Sequence, residues 1–590
     1  MPEQDLGPPQ ATFLNTWARQ WATFREQREN QVFLALTLLI GALTGLAVVA
    51  FIVLTEHVGM RLYPVGSTPW RRLLVPIGGS LAMGYLLYRY FPDARGSGVP
   101  QTKAALFARE GKITLSTVFG KFFCTSATLA SGIPLGREGP AVQVGSGIAS
   151  VLGRVLGLPA ERVKALIPVG AAAAVAAAFN TPLAAVLFAL EEVVGDMHAP
   201  VLGSVVLASA TSWGVLRLIL GNDPLFQVPQ YQLVNPWELV VYGILGVAGG
   251  LVSAAFTQLL LRTRQWFLKR PKKTVWYQPV AGGLLVGAMG WFVPQVMGVG
   301  YSYVGNALND QLALKLMVLL LVMKLIATAI SYASGNAGGI FGPSLFLGAM
   351  LGGALGGAAH QIFPAYVATP GAYALVGMGT AFAGIVRAPM TSVVMIFEIT
   401  RDYAVIVPLM ISNLVSYFIA SRIQPEPIYE VLAEQDGIHL PTGGGRAPKR
   451  RQVQQVMQPA GDCVKADEGL EEVLAKIGQG RQRAWPVCDP SGVIGVITLE
   501  QLHQAMQEGE PKKQISDLMD FRSFPHVHAD QSLDLALDRM GATHTDLLPV
   551  VSRGDIHQLL GVVRLHDVLK SYGVEEGTET RMPHDAHESR

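Results

Sequence analysis

Residues 131–153 read SGIPLGREGPAVQVGSGIASVLG, and residues 334–356 read SGNAGGIFGPSLFLGAMLGGALG. The two stretches keep the same serine, glycine and proline positions at a constant separation of 203 residues. The matched positions of the first stretch are Ser131, Gly132, Gly136, Gly139, Pro140, Gly145 and Gly153. A second motif matches at a separation of 207, where Gly170, Pro182 and Glu191 correspond to Gly377, Pro389 and Glu398. Because the register holds across two motifs, we interpret the chain as an internal repeat rather than as chance similarity between glycine-rich segments.

The chain around these motifs is poor in charge. Only 15% of its 590 residues are charged and 50% are hydrophobic, whereas about 25% are charged in an average soluble protein. Of the 43 acidic residues, 17 precede Pro425 and 26 lie beyond it. This distribution predicts a membrane body followed by a hydrophilic tail. It excludes a disordered chain, a collagen and a wholly soluble enzyme.

Cysteine usage and net charge restrict the ligands and partners further. Cys124, Cys463 and Cys488 are too few for a disulfide framework or a cysteine-rich metal site, so we expect no metal. The net charge of +2 argues against a nucleic-acid partner. No Ser-His-Asp set, zinc-ligand spacing or Walker-type loop stands out in the body, so we do not expect an enzyme.

The body contains long uncharged runs. Residues 31–55 can span a bilayer as one helix. Residues 325–386 form a run of 62 without Asp, Glu, Lys or Arg, which is too long for a single span of about 20 residues. This run is rich in glycine and also contains proline, which at membrane depth implies broken helices buried in protein or lining a watery cavity. We therefore predict a polytopic α-helical membrane protein with broken helices.

Composition also predicts the domain boundaries. We expect an amphipathic surface helix in residues 1–31, a membrane domain in 32–435, a linker in 436–451 and a disordered terminus in 574–590. Basic residues cluster in the stretches 89–112, 262–273 and 446–451. The positive-inside tendency places all three on the cytoplasmic side, together with the N-terminus and the tail.

Glycine-rich turns that open into helices suggest an anion site. A helix N-terminus presents unpaired N–H groups and the positive end of its dipole, so converging ends can bind an anion without a full positive charge. Such partial charges also allow the anion to leave, which a conduction path requires. The repeat places Glu138 where the other half has Phe341. A carboxylate there can compete with the anion and carry a proton; the alternative is a helix-capping acid paired with Arg137.

Of the neighbouring acids Glu191 and Glu192, only one has an acidic counterpart in the other half of the repeat. Glu191 corresponds to Glu398, which suggests a structural role for both, such as capping or bracing helices. Glu192 corresponds to Ile399 and is therefore the better candidate for a specific function. The alternative for Glu192 is an exposed acid at a helix end near the membrane surface.

At these residues the chain resembles the CLC family of chloride channels and chloride/proton exchangers. Three motifs carry the resemblance: GSGVP at 96–100, GREGP at 136–140 and GIFGP at 339–343. Their residues are Gly96, Ser97, Gly98, Val99, Pro100, Gly136, Arg137, Glu138, Gly139, Pro140, Gly339, Ile340, Phe341, Gly342 and Pro343. The resemblance implies inverted repeats, a homodimer with one pore in each subunit, and a plasma (inner) membrane location. One departure is Gly342, where alanine is common in the family.

The resemblance also implies roles for single residues in chloride binding. Ser97 is similar to the serine whose hydroxyl donates to the central anion, although it would also suit an ordinary helix N-cap. Tyr429 is similar to the tyrosine that supplies a second hydroxyl, and would otherwise be an interfacial aromatic. Ile340 and Phe341, with Gly139 in the other half, are similar to residues whose backbone amides bind the anion. The side chains of Ile340 and Phe341 are expected to form walls.

The two acids resemble the residues that distinguish exchangers from channels. Glu138 is similar to the gating glutamate that faces the outer side, and Glu192 to the inner proton-transfer acid of exchangers. Because both are present, the resemblance implies coupled chloride/proton exchange, with a passive gated chloride channel as the alternative. Serine in GSGVP is similar to chloride-preferring rather than nitrate-preferring members. No cofactor is required for either activity.

The tail changes to short α/β units that resemble a tandem pair of CBS modules, in residues 452–510 and 511–573. Such pairs often bind adenine nucleotides through a threonine and an aspartate after the last strand. The first module keeps Thr498 but has Gln501, and the second keeps Asp567 but has Arg564. Each module therefore holds half of the expected chemistry. Nucleotide binding and a purely structural or dimer-bracing tail remain open.

Overall fold

The computed structural model describes residues 29–571, apart from short gaps at 65, 67, 198–199, 222–223, 230, 232, 402, 439, 441–451, 462, 478–481, 508–512, 520–523 and 544. The described chain divides into two compact units, one ending at Gly444 and the other beginning at Gly445. Most of the predicted N-terminal amphipathic helix, most of the predicted linker and the whole predicted disordered terminus lie outside the described residues.

The first unit is built from helices. Its first half contains α1 (Glu29–Leu62), α2 (Pro69–Arg89), α3 (Val99–Ala108), α4 (Leu115–Ala130), α5 (Glu138–Val155), α6 (Ala160–Phe179), α7 (Pro182–Phe188) and α8 (Leu202–Leu220). Its second half contains α9 (Glu238–Leu268), α10 (Pro279–Phe292), α11 (Tyr301–Leu308), α12 (Leu314–Ala333), α13 (Phe341–Ile362), α14 (Pro370–Val386), α15 (Pro389–Thr400), α16 (Ile406–Ile423) and α17 (Ile428–Gln435). A π-helical segment, Ala189–Val194, continues α7.

Seven apolar helical stretches among the described residues are long enough to cross a membrane, and α10, α14 and α15 are shorter apolar helices. Several helices instead begin in the buried interior: Glu138, at the start of α5, and Phe341, at the start of α13, are both 0% exposed. Buried helix starts are the broken helices that the glycine-rich runs predict. This arrangement confirms the predicted polytopic helical architecture.

Matched glycines lie where helices of each half cross closely. A Cβ atom on Gly145 would lie 2.4 Å from the carbonyl oxygen of Gly170, and one on Gly348 would lie 2.1 Å from that of Gly377. These distances are too short for any side chain, so α5 packs on α6, and α13 on α14, through bare backbone. The repeated glycines therefore reflect the same packing requirement in both halves.

The second unit consists of two similar α/β modules. In the first, β1 (Val464–Lys465), β2 (Ala484–Asp489) and β3 (Gly492–Thr498) form a sheet in the order β1-β2-β3, with helices α18 (Leu470–Ile477) and α19 (Leu499–Gln507). In the second, β4 (Val527–His528), β5 (Leu547–Val551) and β6 (Leu559–Arg564) form the order β4-β5-β6, with α20 (Leu533–Thr543) and α21 (Leu565–Ser571). Each sheet has one parallel and one antiparallel pairing. The predicted α/β tail is confirmed.

The first module contains a disulfide that the cysteine count did not lead us to expect. The parallel pairing of β1 with β2 sets Lys465 opposite Cys488. Cys463, which directly precedes β1, lies 5.8 Å from Cys488 between Cα atoms, and the two are joined. Cys124 is a buried free cysteine in the membrane unit.

Candidate functional site

The centre of the membrane unit is a backbone bridge between the two halves. The amide of Gly136 donates to the carbonyl oxygen of Gly339, and the amide of Gly339 donates to that of Gly136, each at 2.7 Å. The bridge holds the N-termini of α5 and α13 next to each other in the buried interior. The first-turn amides of both helices have no intrahelical acceptor, so their partial positive charges converge there.

Glu138 is the first residue of α5 and is fully buried. One carboxylate oxygen accepts a hydrogen bond from the Gly342 amide at 3.2 Å, in the first turn of α13, and the other accepts one from the Tyr301 hydroxyl. Arg137 instead pairs with Glu56, with 3.3 Å between Nη1 and Oε1. The alternative of a Glu138–Arg137 pair is therefore wrong, because Arg137 pairs with Glu56.

Two hydroxyls, those of Ser97 and Tyr429, lie buried near this point. Both residues are 0% exposed, and neither hydroxyl has a hydrogen-bond partner among the described residues. Ser97 does not cap α3, because the N-cap residue is Gly98 and its amide donates to the side chain of Gln101 at 2.8 Å. The tyrosine hydroxyl lies next to the Ser97 hydroxyl and within electrostatic range of Glu138 and Glu192. Two unsatisfied buried donors of this kind are what a weakly held anion needs.

Glycines let the loop that carries Ser97 approach the buried start of α5. Gly98 has a φ of +104°, and a Cβ there would lie 2.2 Å from the carbonyl oxygen of Gly139. A Cβ on Gly139 would in turn lie 3.0 Å from the Ser97 hydroxyl oxygen. The GSGVP and GREGP motifs are therefore in direct contact, with the serine hydroxyl next to the start of α5.

Ile340 and Phe341 lie at the start of α13 and are both fully buried. The Phe341 ring packs against the rings of Phe179, Phe188 and Phe382, with centroid distances of 4.7, 5.5 and 4.3 Å. An aromatic side chain held in this way forms a wall and leaves the backbone amides of the helix start as the polar groups.

Glu192 lies in the π-helical segment and is also buried. Its carboxylate forms an ion pair with Lys103 at 3.0 Å, and the same ammonium lies 3.9 Å from a carboxylate oxygen of Glu430. The alternative of an exposed acid is wrong, since the side chain of Glu192 is only 6% exposed. From sequence, Lys103 was only one member of the basic stretch at 89–112, and no pattern pointed to Glu430, which follows Tyr429.

Glu191 and Glu398 cap each other's helix. Glu191 accepts the amides of Met390 and Thr391 at 3.1 and 2.7 Å, in the first turn of α15. Glu398 accepts the amides of Leu183 and Ala184 at 3.0 and 2.8 Å, in the first turn of α7. The structure thus has the reciprocal capping that the repeat suggested for these two acids.

A symmetric pair of buried lysines was missed. Lys121 donates to the carbonyl oxygens of Ala94 and Gly96 at 3.0 and 2.6 Å, just before α3. Lys324 does the same just before α11, with the carbonyl oxygens of Val296 and Gly298 at 2.9 and 2.5 Å. The two lysines are 203 positions apart, so the repeat spacing could have identified them.

A cavity of about 1500 Å³ in the second unit is lined by residues of both α/β modules, including Asp467 and Trp485 of the first and Arg564 of the second. Thr498 and Asp567 are not among its lining residues. The Thr498 hydroxyl is bonded to the Gln501 side chain at 3.1 Å, whereas one Asp567 oxygen is buried without a partner among the described residues. Within the described parts of the chain no cluster of His, Cys, Asp and Glu could hold a metal ion.

Comparison with known proteins matches a family profile to each of the two parts of the chain. The profile described as "Voltage gated chloride channel" matches residues 78–421, and the CBS domain profile matches 453–508 and 515–573. The chain is 33% identical over 364 residues to a ClcB-like chloride channel protein of Ralstonia nicotianae, covering 61% of this chain and 85% of the relative. It is 34% identical over 423 residues to the H(+)/Cl(-) exchange transporter ClcA of Salmonella paratyphi B, covering 68% and 89%.

A solved structure is similar as well. The slow cyanobacterial Cl−/H+ antiporter matches with a TM-score of 0.63 and 28% sequence identity, over 68% of this chain and 97% of that protein. The relatives compared in this way are named as ion transporters and channels. The chain belongs to the voltage-gated chloride channel family, the CLC family, and carries two CBS domains at its carboxyl-terminal end.

Proposed function

We propose that this protein is a secondary active antiporter that exchanges chloride for protons across a membrane. The single observation that carries the proposal is the position of the Glu138 carboxylate, which accepts the Gly342 amide at the start of α13. A carboxylate oxygen is chemically similar to a bound anion. Glu138 therefore occupies a place where helix dipoles would otherwise favour chloride.

The chloride site consists of the Ser97 and Tyr429 hydroxyls and the amides at the starts of α5 and α13, including those of Gly139, Ile340 and Phe341. The support is that both hydroxyls are buried without partners among the described residues. All these groups carry partial charges, so they bind an anion without trapping it. The ammonium group of the buried Lys121 is occupied by two carbonyl oxygens.

Protons move between Glu138 and Glu192. When Glu138 is protonated it no longer competes with chloride, so the gate and the proton carrier are one group. Glu192 is buried in the π-helical segment that continues α7, and it lies within electrostatic range of Tyr429. Its ion pair with Lys103 gives it a defined position, and Glu430 extends the group of acids.

Proton uptake driven by chloride tests this function directly. Liposomes containing only this protein are given an outward chloride gradient at equal internal and external pH. Potassium and valinomycin dissipate the charge that is moved, a proton ionophore is absent, and external pH and chloride are recorded together. An exchanger moves protons inward against their gradient as chloride leaves. Chloride efflux without proton uptake would instead identify the passive gated channel of the same fold, the reading that the name of the Ralstonia relative favours.

The protein lies in the plasma (inner) membrane, with its N-terminus and tail in the cytoplasm. The basic cluster at 262–273 supports this orientation through the positive-inside tendency. It functions as a homodimer in the lipid bilayer. Large apolar side chains support this where α7 and α15 meet, since Leu183 is 59% and Met390 is 58% exposed. Multi-angle light scattering in detergent distinguishes the dimer from a monomer.

The tail binds an adenine nucleotide in the cavity that residues of both CBS modules line. The cavity of about 1500 Å³ supports this, with Arg564 available for phosphate and Trp485 for a base. A structural or dimer-bracing tail is the alternative, since Thr498 is engaged by Gln501. Calorimetry of the full-length protein with ATP, ADP and AMP decides between them, and heat of binding lost in Arg564→Ala supports this cavity.

A further inference from the structure

The Tyr301 side chain makes a contact with Glu138 that no motif led us to expect. Its hydroxyl donates to one carboxylate oxygen while the Gly342 amide donates to the other, at 3.2 Å. Among the described residues these two groups are the hydrogen-bond partners of the fully buried Glu138 side chain. The carboxylate is thus held from both sides in the position where it obstructs the anion site.

The ring that carries this hydroxyl is held in place. Tyr301 is the first residue of α11, directly after Gly300 in the left-handed conformation with a φ of +86°. Lys324 anchors the preceding loop through the carbonyl oxygens of Val296 and Gly298. The ring itself packs edge-on against Phe226 at 5.6 Å, and the Arg137 guanidinium lies 5.6 Å from its centre. A hydroxyl fixed in this way donates at little entropic cost.

The unusual glycine of the GIFGP motif fits the same interpretation. A Cβ on Gly342 would lie 3.0 Å from the Tyr301 hydroxyl oxygen and 3.1 Å from the Glu138 carboxylate. Both distances are tighter than ordinary contacts, so an alanine would crowd both partners. Glycine at this position therefore makes room for the tyrosine-to-glutamate hydrogen bond.

We propose that Tyr301 is a latch that holds the Glu138 carboxylate in the chloride site, and that it sets how readily chloride displaces this gate. The inference rests on the proposed function, in which Glu138 competes with chloride. Tyr301 acts through Glu138 and is therefore a positioning residue. Its hydroxyl donates to the ionised carboxylate, so the latch favours the closed gate and slows each transport cycle.

Chloride affinity tests the latch without depending on proton transport. Calorimetric titration of the full-length protein in detergent with sodium chloride gives the Kd. Tyr301→Phe removes only the hydroxyl and is expected to lower the Kd for chloride about tenfold, since a hydrogen bond to a charged group corresponds to at least that ratio. Gly342→Ala is expected to change the Kd in the same direction. Tyr303→Phe, on the same helix, is the matched control and is expected to leave the Kd unchanged.

A double-mutant cycle separates the latch from the gate. In Glu138→Ala no carboxylate competes, so adding Tyr301→Phe is expected to leave the Kd where the single variant has it. An unchanged Kd in Tyr301→Phe alone, or the same tenfold change in both backgrounds, overturns the latch.

Failure of the proposed function can be distinguished from failure of the latch, because the single variant Glu138→Ala tests the function alone. If that variant keeps both the wild-type chloride affinity and proton coupling, Glu138 is not the gate. In liposomes, Tyr301→Phe is expected to transport chloride several-fold faster with the chloride/proton ratio unchanged, whereas a merely structural role would slow both fluxes together.

Discussion

The two halves of the membrane unit share a backbone at the centre but differ in chemistry. Both have a helix start at the bridge of Gly136 and Gly339, and both have a buried lysine that anchors the loop before a second helix start. Only the first half carries Glu138 and Glu192, whose counterparts in the second half are Phe341 and Ile399.

This difference shows how two halves with the same backbone arrangement can have different chemical roles. Converging dipoles need helices from both halves, so the features that place the helix starts are repeated. A proton path needs titratable groups at chosen points only, and a second set would add buried charge without a partner. Under the proposed function, the repeated residues build the anion site, and the unmatched acids couple it to protons.

The largest expected effect comes from removing the unmatched acid at the centre. Glu138→Ala makes the first half resemble the second in charge, and we expect proton flux at the level of protein-free liposomes with chloride flux preserved. Simultaneous recording of chloride and proton flux measures this. Glu161→Ala, which removes an exposed acid at the start of α6, is the control. Proton coupling that survives in Glu138→Ala contradicts the prediction.

The second unmatched acid gives the next effect. Glu192→Gln keeps the shape of the side chain but cannot carry a proton, and we expect proton flux to fall about 10²-fold because a positioned proton-transfer group contributes on that order. The neighbouring Glu191→Gln, which alters a symmetric cap, is expected to retain coupling. Equal losses in the two variants would mean that symmetry does not distinguish these acids.

The buried ion pair tests the asymmetry through stability. Lys103→Met leaves the Glu192 carboxylate buried without its partner, so we expect the free energy of unfolding to fall by about 3 kcal/mol. Adding Glu192→Gln is expected to recover most of this loss, because the unpaired charge is gone. Chemical unfolding in detergent micelles measures both. A double variant no more stable than Lys103→Met would show that the ion pair does not determine the stability of this region.

The smallest effect concerns the symmetric caps. Glu191→Ala and Glu398→Ala each leave two helix-start amides without an acceptor, and we expect each to cost about 2 kcal/mol in the same unfolding measurement. Both caps accept two first-turn amides, so their losses should agree apart from the Thr391 hydroxyl bond that Glu191 also accepts at 2.6 Å. Clearly unequal losses would indicate that one cap has a role beyond the scaffold.

Much of the site was predictable because the repeat relates distant positions. The separation of 203 residues identified the helix starts and showed that Glu138 has no acidic counterpart, and the separation of 207 residues distinguished Glu192 from Glu191. The same spacing contained Lys121 and Lys324, which we overlooked because lysines in apolar segments were counted only as charge. The family motifs then indicated Ser97 and Tyr429, which no spacing connects.

The sequence alone determined the class of fold, the repeat and the unmatched acids, because each leaves a periodic or compositional pattern in the chain. Only the tertiary structure decided the partners: Arg137 pairs with Glu56, Lys103 with Glu192, and Tyr301 contacts Glu138 across 163 positions of chain. Such contacts depend on how helices pack in three dimensions. No local rule of spacing encodes them.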